Sequence, residues 1–68
     1  MNITCRIIST DSQLIEQLTV TVDVWDPPAL KRVEAVARDW AAQHNMRYIS
    51  DIFSQGEFRA WVEPRDTT

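Results

Sequence analysis

The first residues of the chain alternate between apolar and polar side chains, with the period of two that is typical of a half-buried strand. Ile3, Cys5 and Ile7 form the apolar set, and polar residues lie between them. This pattern predicts a first strand that ends near Ile8. Residues 9–12 carry small polar side chains that hydrogen-bond their own backbone, so we expect a turn there.

A second alternating segment extends from residue 14 to residue 25 and has the most regular strand pattern in the chain. Leu18, Val20, Val22 and Val24 occupy its even positions and predict a buried face, with threonines among the residues between them. The segment is about twice as long as a typical strand. We therefore expect it to extend past its neighbour and to leave an unpaired edge where a second copy can pair.

Residues 26–45 have the signals of one amphipathic helix of four to five turns. Asp26 followed by Pro27 and Pro28 is typical of a helix start, because Asp accepts from free amides and Pro lacks a donor that would be unpaired there. Asn45 favours the left-handed conformation that ends a helix. At 3.6 residues per turn, one arc collects Leu30, Val33, Val36, Ala37, Trp40, Ala41 and His44.

Residues 47–53 and 58–63 predict a second hairpin, closed by residues 54–57, in which Gly56 supplies a positive φ. Large apolar side chains occur at both alternating sets of positions. One set holds Ile49, Phe53, Phe58 and Val62, and the other holds Tyr48, Ile52 and Trp61. A single helix covers one face of a sheet, so we expect aromatic rings on the other face.

These elements predict a small α+β domain of order β-β-α-β-β, with an antiparallel sheet and one amphipathic helix packed on one face. Residues 1–64 form the domain, and residues 65–68 form a short polar tail after Pro64, which cannot donate to a ladder. The chain begins with a strand pattern rather than a signal peptide, and no apolar run is long enough to span a membrane. We expect a cytoplasmic protein.

Composition narrows the classes of partner. Ten acidic and seven basic residues give a net charge of −3, which repels a phosphate backbone and disfavours generic nucleic-acid binding. Six of the seven basic residues are Arg, which suits bidentate and stacked contacts better than Lys. Cys5 is the lone cysteine and alternates with Ile3 and Ile7, so we expect a small buried hydrophobe.

No spacing of chemical groups predicts a catalytic, metal-binding or cofactor-binding site. A catalytic triad would require Cys5 or a serine to meet His44 at the far end of the helix. We expect His44 to pack by its ring and to complement the carbonyl end of the helix. The carboxylates are scattered, and no calcium loop or glycine-rich phosphate loop is present in the sequence. We predict a protein that is not an enzyme; a ligand site in a dimer cleft, dependent on His44, is a minor alternative.

The register of the second hairpin decides which residues face outward. If Phe53 lies opposite Phe58, Asp51 pairs with Ala60 and Ile49 with Val62 on the core side. The outward set is then Tyr48, Ser50, Ile52, Arg59, Trp61 and Glu63. Asp51 must then lie near the sheet margin, or a bulge shifts the pairing by one. The shifted outward set is Ile49, Asp51, Phe53, Arg59 and Trp61, so Arg59 and Trp61 face outward in both registers.

The first hairpin adds polar and apolar residues to the same outward face, namely Thr4, Arg6, Ile8, Ile15, Gln17, Thr19, Thr21 and Trp25. Aromatic residues and Arg are enriched at protein interfaces. We therefore predict a partner-binding set of Arg6, Trp25, Tyr48, Ile52, Arg59 and Trp61. For Trp25 an alternative is that it folds over the end of the sheet beside Pro27 as a staple.

These observations predict a small acidic protein–protein interaction module that acts as an inhibitor, adaptor or regulator. Its partner is another protein or a second copy, in a homodimer formed through a strand edge or the sheet face. Small acidic single domains are also frequent among phage and mobile-element proteins that block host or defence proteins, a likeness of size and charge that no motif carries. The alternative is a single-stranded nucleic-acid binder, with Tyr48 and Trp61 stacked under bases and Arg6 and Arg59 on phosphates.

Overall fold

A computed structural model describes residues 1–65 and contains four strands and one helix in that part of the chain. In chain order these are β1 (Asn2–Ser9), β2 (Leu14–Thr21), α1 (Pro27–Gln43), β3 (Met46–Ser54) and β4 (Glu57–Pro64). The predicted α+β class and β-β-α-β-β order are confirmed. Of the predicted polar tail, residues 66–68 lie outside the described residues. The helix α1 is too short and too polar to cross a membrane.

The four strands form one sheet in the order β2-β1-β4-β3. Both hairpins are antiparallel, as expected, but the two central strands β1 and β4 run parallel, so the sheet is mixed. The arrangement follows from burial: β4 alternates through three fully buried positions, Phe58, Ala60 and Val62, and therefore takes a central place. β3 carries Asp51 and a bulge and lies at an edge, where an interrupted ladder costs less.

The core lies between α1 and one face of the sheet. Small residues at every fourth position of α1, Ala29, Val33, Ala37 and Ala41, are buried and allow the helix to approach the strands closely. Phe58 and Val62 are fully buried beneath the helix, which confirms their predicted place in the core. The sheet contributes Ile3, Cys5, Ile7, Val20, Val22 and Ala60 to the same core.

The predicted apolar arc of α1 is correct at its centre and wrong at its first residue. Val36 and Trp40 are partly buried against the core, whereas Leu30 is 38% exposed. Ala29 takes the buried place in the first turn. The buried stripe repeats strictly every four residues from Ala29, and this geometry turns Leu30 away from the sheet.

Both ends of α1 have the predicted caps. The Asp26 carboxylate accepts from the Ala29 amide at 3.0 Å, with Pro27 and Pro28 at the first two helical positions. At the other end, His44 Nδ1 lies 2.8 Å from the Trp40 carbonyl oxygen, and its ring stacks on Trp40 with centroids 4.0 Å apart. Asn45 follows with a φ of 56°. The predicted structural role of His44 is therefore confirmed.

β2 is shorter than the sequence pattern predicts, because it ends at Thr21 and not at residue 25. Its ladder with β1 closes where the Val22 amide donates to the Met1 carbonyl at 2.9 Å, and no neighbouring strand extends beyond that point. The chain leaves the sheet toward Asp26. Val22 is still buried, but Val24 is 62% exposed, so its predicted place in the core is wrong.

The β3–β4 hairpin has the first of the two predicted registers near its turn. Phe53 pairs with Phe58 and Asp51 with Ala60 across a two-residue loop, Gln55 and Gly56, in which both residues have positive φ. A bulge at Ile49 then changes the pairing, so that Tyr48 and not Ile49 lies opposite Val62. One extra residue in the bulged strand reverses which side chains face the core beyond it.

Candidate partner-binding site on the outer face of the sheet

The face of the sheet opposite α1, called the outer face here, has no helix on it within residues 1–65. The strand registers order its side chains into rows that cross all four strands. One row contains Leu14, Ile8, Trp61 and Ser50, the next contains Gln17, Arg6, Arg59 and Ile52, and a third contains Thr19, Thr4, Glu57 and Ser54. The outer face therefore combines large apolar groups with charged groups at its centre.

An arginine cluster, defined as Arg6, Glu57 and Arg59, occupies the middle of this face. Arg59 Nε donates to Glu57 Oε1 at 2.7 Å, and Arg6 Nε lies 3.0 Å from the same oxygen. The Arg6 contact is an ion pair without the alignment of a hydrogen bond. The hydrogen bond from Arg59, together with both positive charges, lowers the pKa of Glu57 from its ordinary value.

An apolar cluster, defined as Ile8, Leu14 and Trp61, lies beside the arginine cluster. Leu14 is 51% exposed, while Ile8 and Trp61 are half-buried. With Ser12 and the arginine cluster, these residues line an open depression of about 290 Å³. The depression thus offers an apolar surface at one end and guanidinium groups at the other.

Four of the six residues predicted to bind a partner lie on the outer face. Arg6 on β1 pairs with Arg59 on β4, and Ile52 on β3 pairs with Arg59 from the other side. Trp61 on β4 pairs with Ile8 on β1. Ile52 is 50% exposed. The structure brings these four residues together as the sequence predicts, and their binding role stays a prediction.

Trp25 does not lie on the outer face. Its ring stacks on Phe53, with centroids 4.3 Å apart and planes at 23°, and it packs against the core on the side of α1. The chain has already left β2 at Thr21 and approaches the start of α1 at Trp25. The expectation that Trp25 faces outward is wrong, because its ring packs on Phe53 on the core side of the sheet.

Tyr48 is also on the side of α1, because the bulge at Ile49 reverses its direction. The guanidinium carbon of Arg38 lies 4.3 Å from the centre of the Tyr48 ring. The Tyr48 hydroxyl donates a hydrogen bond to the Asp51 carboxylate at 2.6 Å. Burial, followed by the nearby Asp51 carboxylate, raises the pKa of Tyr48 far above its ordinary value. The predicted outward position of Tyr48 is therefore wrong. Asp51 points to the side of α1 but stays exposed on the edge strand β3, as the first predicted register requires.

The sequence pattern missed three residues of this site, namely Ser12, Leu14 and Glu57. A bulge in the first hairpin places Leu14 opposite Ile8. Ile15, which the sequence pattern predicts on this face, lies in the bulge itself. The adjacent apolar residues Leu14 and Ile15 are the only sequence signal of that irregularity. The sequence pattern places Glu57 in the turn because it follows Gly56, whereas in the structure it is the first residue of β4.

The outer face differs in charge from the rest of the protein. It carries three basic residues, Arg6, Arg47 and Arg59, and two acidic residues, Glu57 and Glu63, which leave one positive charge. Arg47 and Glu63 form their own ion pair. The remaining residues of the described range 1–65 include four basic and seven acidic residues, which leave three negative charges. The acidic character therefore belongs to the surface outside the outer face.

The other reactive groups lie apart from this face. Cys5 is completely buried on the core side of β1, and burial raises its pKa to about 11. His44 caps α1. Among residues 1–65, no three His, Cys, Asp or Glu side chains are grouped to hold a metal ion. The distinctive chemistry of the described residues is therefore that of the arginine and apolar clusters.

Comparison with known proteins gives no family. No protein-family model and no curated protein matches the chain. A leucyl-tRNA synthetase of Agrobacterium radiobacter K84, solved in a ternary complex with tRNA and LeuAMS, is similar over 90% of this chain and 8% of the synthetase chain, with a TM-score of 0.45 and 17% identity. This chain thus spans a small fraction of the synthetase, and a likeness of this degree carries no argument about function.

Proposed function

We propose that this protein is a non-enzymatic protein–protein interaction module that binds its partner through the outer face around Arg59 and Trp61. The observation that supports this most directly is the arrangement of the apolar and arginine clusters along one open depression. Aromatic and Arg side chains at the centre of a contact supply most of the energy in protein interfaces. An inhibitor, adaptor or regulator would use such a surface.

The dimensions of the outer face indicate the strength of binding. Four strands about 4.8 Å apart and eight residues long give a face of roughly 15 by 27 Å, or about 400 Å² before side-chain relief is counted. Stable interfaces bury about 800 Å² on each partner, and smaller contacts are usually transient. We therefore expect a weak or moderate affinity, unless the partner also pairs with the free edge of β2.

A protein partner fits the face better than a nucleic acid does. Nucleic-acid binding requires Tyr48 to stack under a base, but Tyr48 faces α1. Glu57 already neutralises part of the charge of Arg6 and Arg59. Trp61 remains as one ring on the outer face, whereas stacking platforms use successive rings. Affinity for RNA or single-stranded DNA that falls steeply with salt would contradict the proposal.

Affinity capture with matched variants tests the proposal. The wild-type protein, a Trp61→Ala/Arg59→Ala variant and a Leu30→Ala variant are immobilised, and the proteins retained from an extract of the native host are quantified. Leu30 is an exposed apolar residue on α1 and controls for general hydrophobic binding. We expect one protein to be retained by the wild type and by Leu30→Ala but lost from the outer-face variant. Equal retention by all three would contradict the proposed site.

We further propose a cytoplasmic location and, from size and charge, the role of a phage- or mobile-element-encoded inhibitor of a host or defence protein. Binding to a second copy of the chain is the main competing form of association. The molecular mass in solution tests the competing form directly, because self-association requires a dimer and a monomeric mass would contradict it.

A further inference from the structure

The two guanidinium groups of the arginine cluster share a single carboxylate. Both contact Glu57 Oε1 through Nε, and no other acidic group within residues 1–65 forms an ion pair with either arginine. Their terminal amino groups remain available beside the depression that both residues line. An Arg fork binds a carboxylate with two parallel hydrogen bonds. One positive charge of the cluster is thus left without a counter-charge.

The excess of one positive charge matches a carboxylate better than a phosphate. A phosphate carries a charge of nearly −2 at neutral pH, which would exceed the charge available here. The surface outside the outer face is acidic, so a second or third anionic group on the ligand would be repelled. The charge balance therefore favours a ligand with one carboxylate at this position.

The apolar cluster lies at a fixed spacing from the arginine pair. Ile8 follows Arg6 by two residues on β1, and Trp61 follows Arg59 by two residues on β4. The two strands are parallel, and Ile8 pairs with Trp61 as Arg6 pairs with Arg59. Two residues along a strand correspond to roughly 6.5–7 Å. Side chains at alternate positions of an extended peptide have the same spacing and point in one direction. An extended peptide can therefore place one side chain on each cluster.

We propose that the outer face binds an extended segment of a partner protein in which one Asp or Glu is separated by a single residue from a large apolar residue. The carboxylate lies between the guanidinium groups of Arg6 and Arg59, and the apolar side chain contacts Ile8, Leu14 and Trp61. This inference rests on the proposed function and names the chemistry of the partner. A second copy is disfavoured as a face-to-face partner, because each outer face has the same excess positive charge.

Selection from a random octapeptide display library tests the inference. The baits are the wild-type protein, an Arg6→Gln/Arg59→Gln variant, a Trp61→Ala variant and the control Leu30→Ala, each verified as folded by circular dichroism. We expect the wild type and the control to enrich peptides with an acidic residue two positions from a large apolar residue. The double Arg variant should lose the acidic preference, and Trp61→Ala should lose the apolar one.

Titration of a selected peptide measures the same effect quantitatively. Replacing its acidic residue with Gln or Asn should weaken binding to the wild type about tenfold or more, and should change binding to the double Arg variant little.

Enriched peptides without the acidic residue, retained equally by the double Arg variant, would overturn the carboxylate inference and leave the proposed outer-face site standing. Retention by Trp61→Ala equal to that by the wild type would contradict the site itself. A preference for phosphorylated over acidic peptides, an absence of any enrichment, or self-association of the wild type in place of peptide binding would also overturn the inference.

Discussion

Arg6 and Arg59 are direct neighbours on the two parallel central strands, and one carboxylate oxygen of Glu57 lies 3.0 Å from the first Nε and 2.7 Å from the second. Like charges at paired positions of a sheet repel one another. Glu57 compensates for this repulsion because its side chain lies on the same face, two residues before Arg59. The pair is therefore kept together at the centre of the outer face, where a partner can contact both residues.

The first prediction concerns Glu57→Gln. Because the folded state lowers the pKa of Glu57 below its ordinary value of 4.5, the stabilisation is complete above that value and is lost as pH falls through the lower folded pKa. We expect the variant to have a lower Tm than the wild type at pH 7, and the difference to disappear in more acidic solution. Thermal unfolding followed by circular dichroism between pH 2 and pH 7 measures this.

The matched control for that experiment is Glu63→Gln. Glu63 lies on the same strand and face, but it pairs with Arg47 alone. A single exposed ion pair contributes little, so the control should change Tm less than Glu57→Gln does. A Glu57→Gln variant with an unchanged Tm, or with a difference that grows toward acidic pH, would show that the shared carboxylate does not stabilise the arginine pair.

The second prediction concerns alkaline solution. Tyr48 is the only tyrosine of the chain, and the folded state raises its pKa. Stability is therefore complete below the ordinary tyrosine pKa of about 10 and is lost as pH rises toward the higher folded value. Absorbance at 295 nm should show no phenolate until the protein unfolds. A reversible titration near pH 10 in folded protein would contradict the hydrogen bond from the half-buried Tyr48 to Asp51. Tyr48→Phe should make unfolding less dependent on pH in this range.

The third prediction separates the two tryptophans that the sequence placed together on one face. Trp25→Ala removes a partly buried ring that stacks on Phe53, and we expect it to lower the free energy of unfolding by about 2–4 kcal/mol. Its effect on partner affinity should be small in the folded fraction. Trp61→Ala should have the opposite profile, with a smaller loss of stability and a large loss of binding. Urea unfolding and a binding isotherm for each variant check this.

The fourth prediction concerns the turn of the second hairpin. Gly56 has a φ of 75°, and an added Cβ would meet no atom within 4 Å. The cost of Gly56→Ala is therefore the backbone conformation alone, about 1–2 kcal/mol. Gln55→Gly is the control, since Gln55 has a φ of 54° and glycine adopts this conformation without strain. Chemical denaturation should show a loss for the first variant and no comparable loss for the second.

The regular features of the fold were predictable from the sequence because local rules determine them. The helix caps at Asp26 and Asn45 and the tight turn at Gly56 follow from the conformations that those residues favour. Alternation along β1 and β4 correctly assigned Phe58 and Val62 to the core, and Arg59 and Trp61 to the outer face.

The errors occurred where the structure departs from regular alternation. Bulges at Ile15 and Ile49 each moved a large side chain, so that Leu14 joins the outer face and Tyr48 leaves it. A bulge depends on pairing across strands, and a single strand pattern does not contain that information. The wrong position predicted for Trp25 has a different cause. Trp25 continues the alternating pattern of β2, but it lies beyond Thr21, the last residue of β2 that pairs with β1.

The measurement that tests the central claim most directly is the affinity of the captured partner for the wild type, Trp61→Ala/Arg59→Ala and Leu30→Ala by isothermal titration calorimetry. Residues at the centre of an interface each contribute about 2 kcal/mol or more. We therefore predict that the outer-face variant binds at least about 30-fold more weakly than the wild type, while Leu30→Ala binds as the wild type does. Equal affinity of the folded outer-face variant and the wild type would show that the partner binds elsewhere.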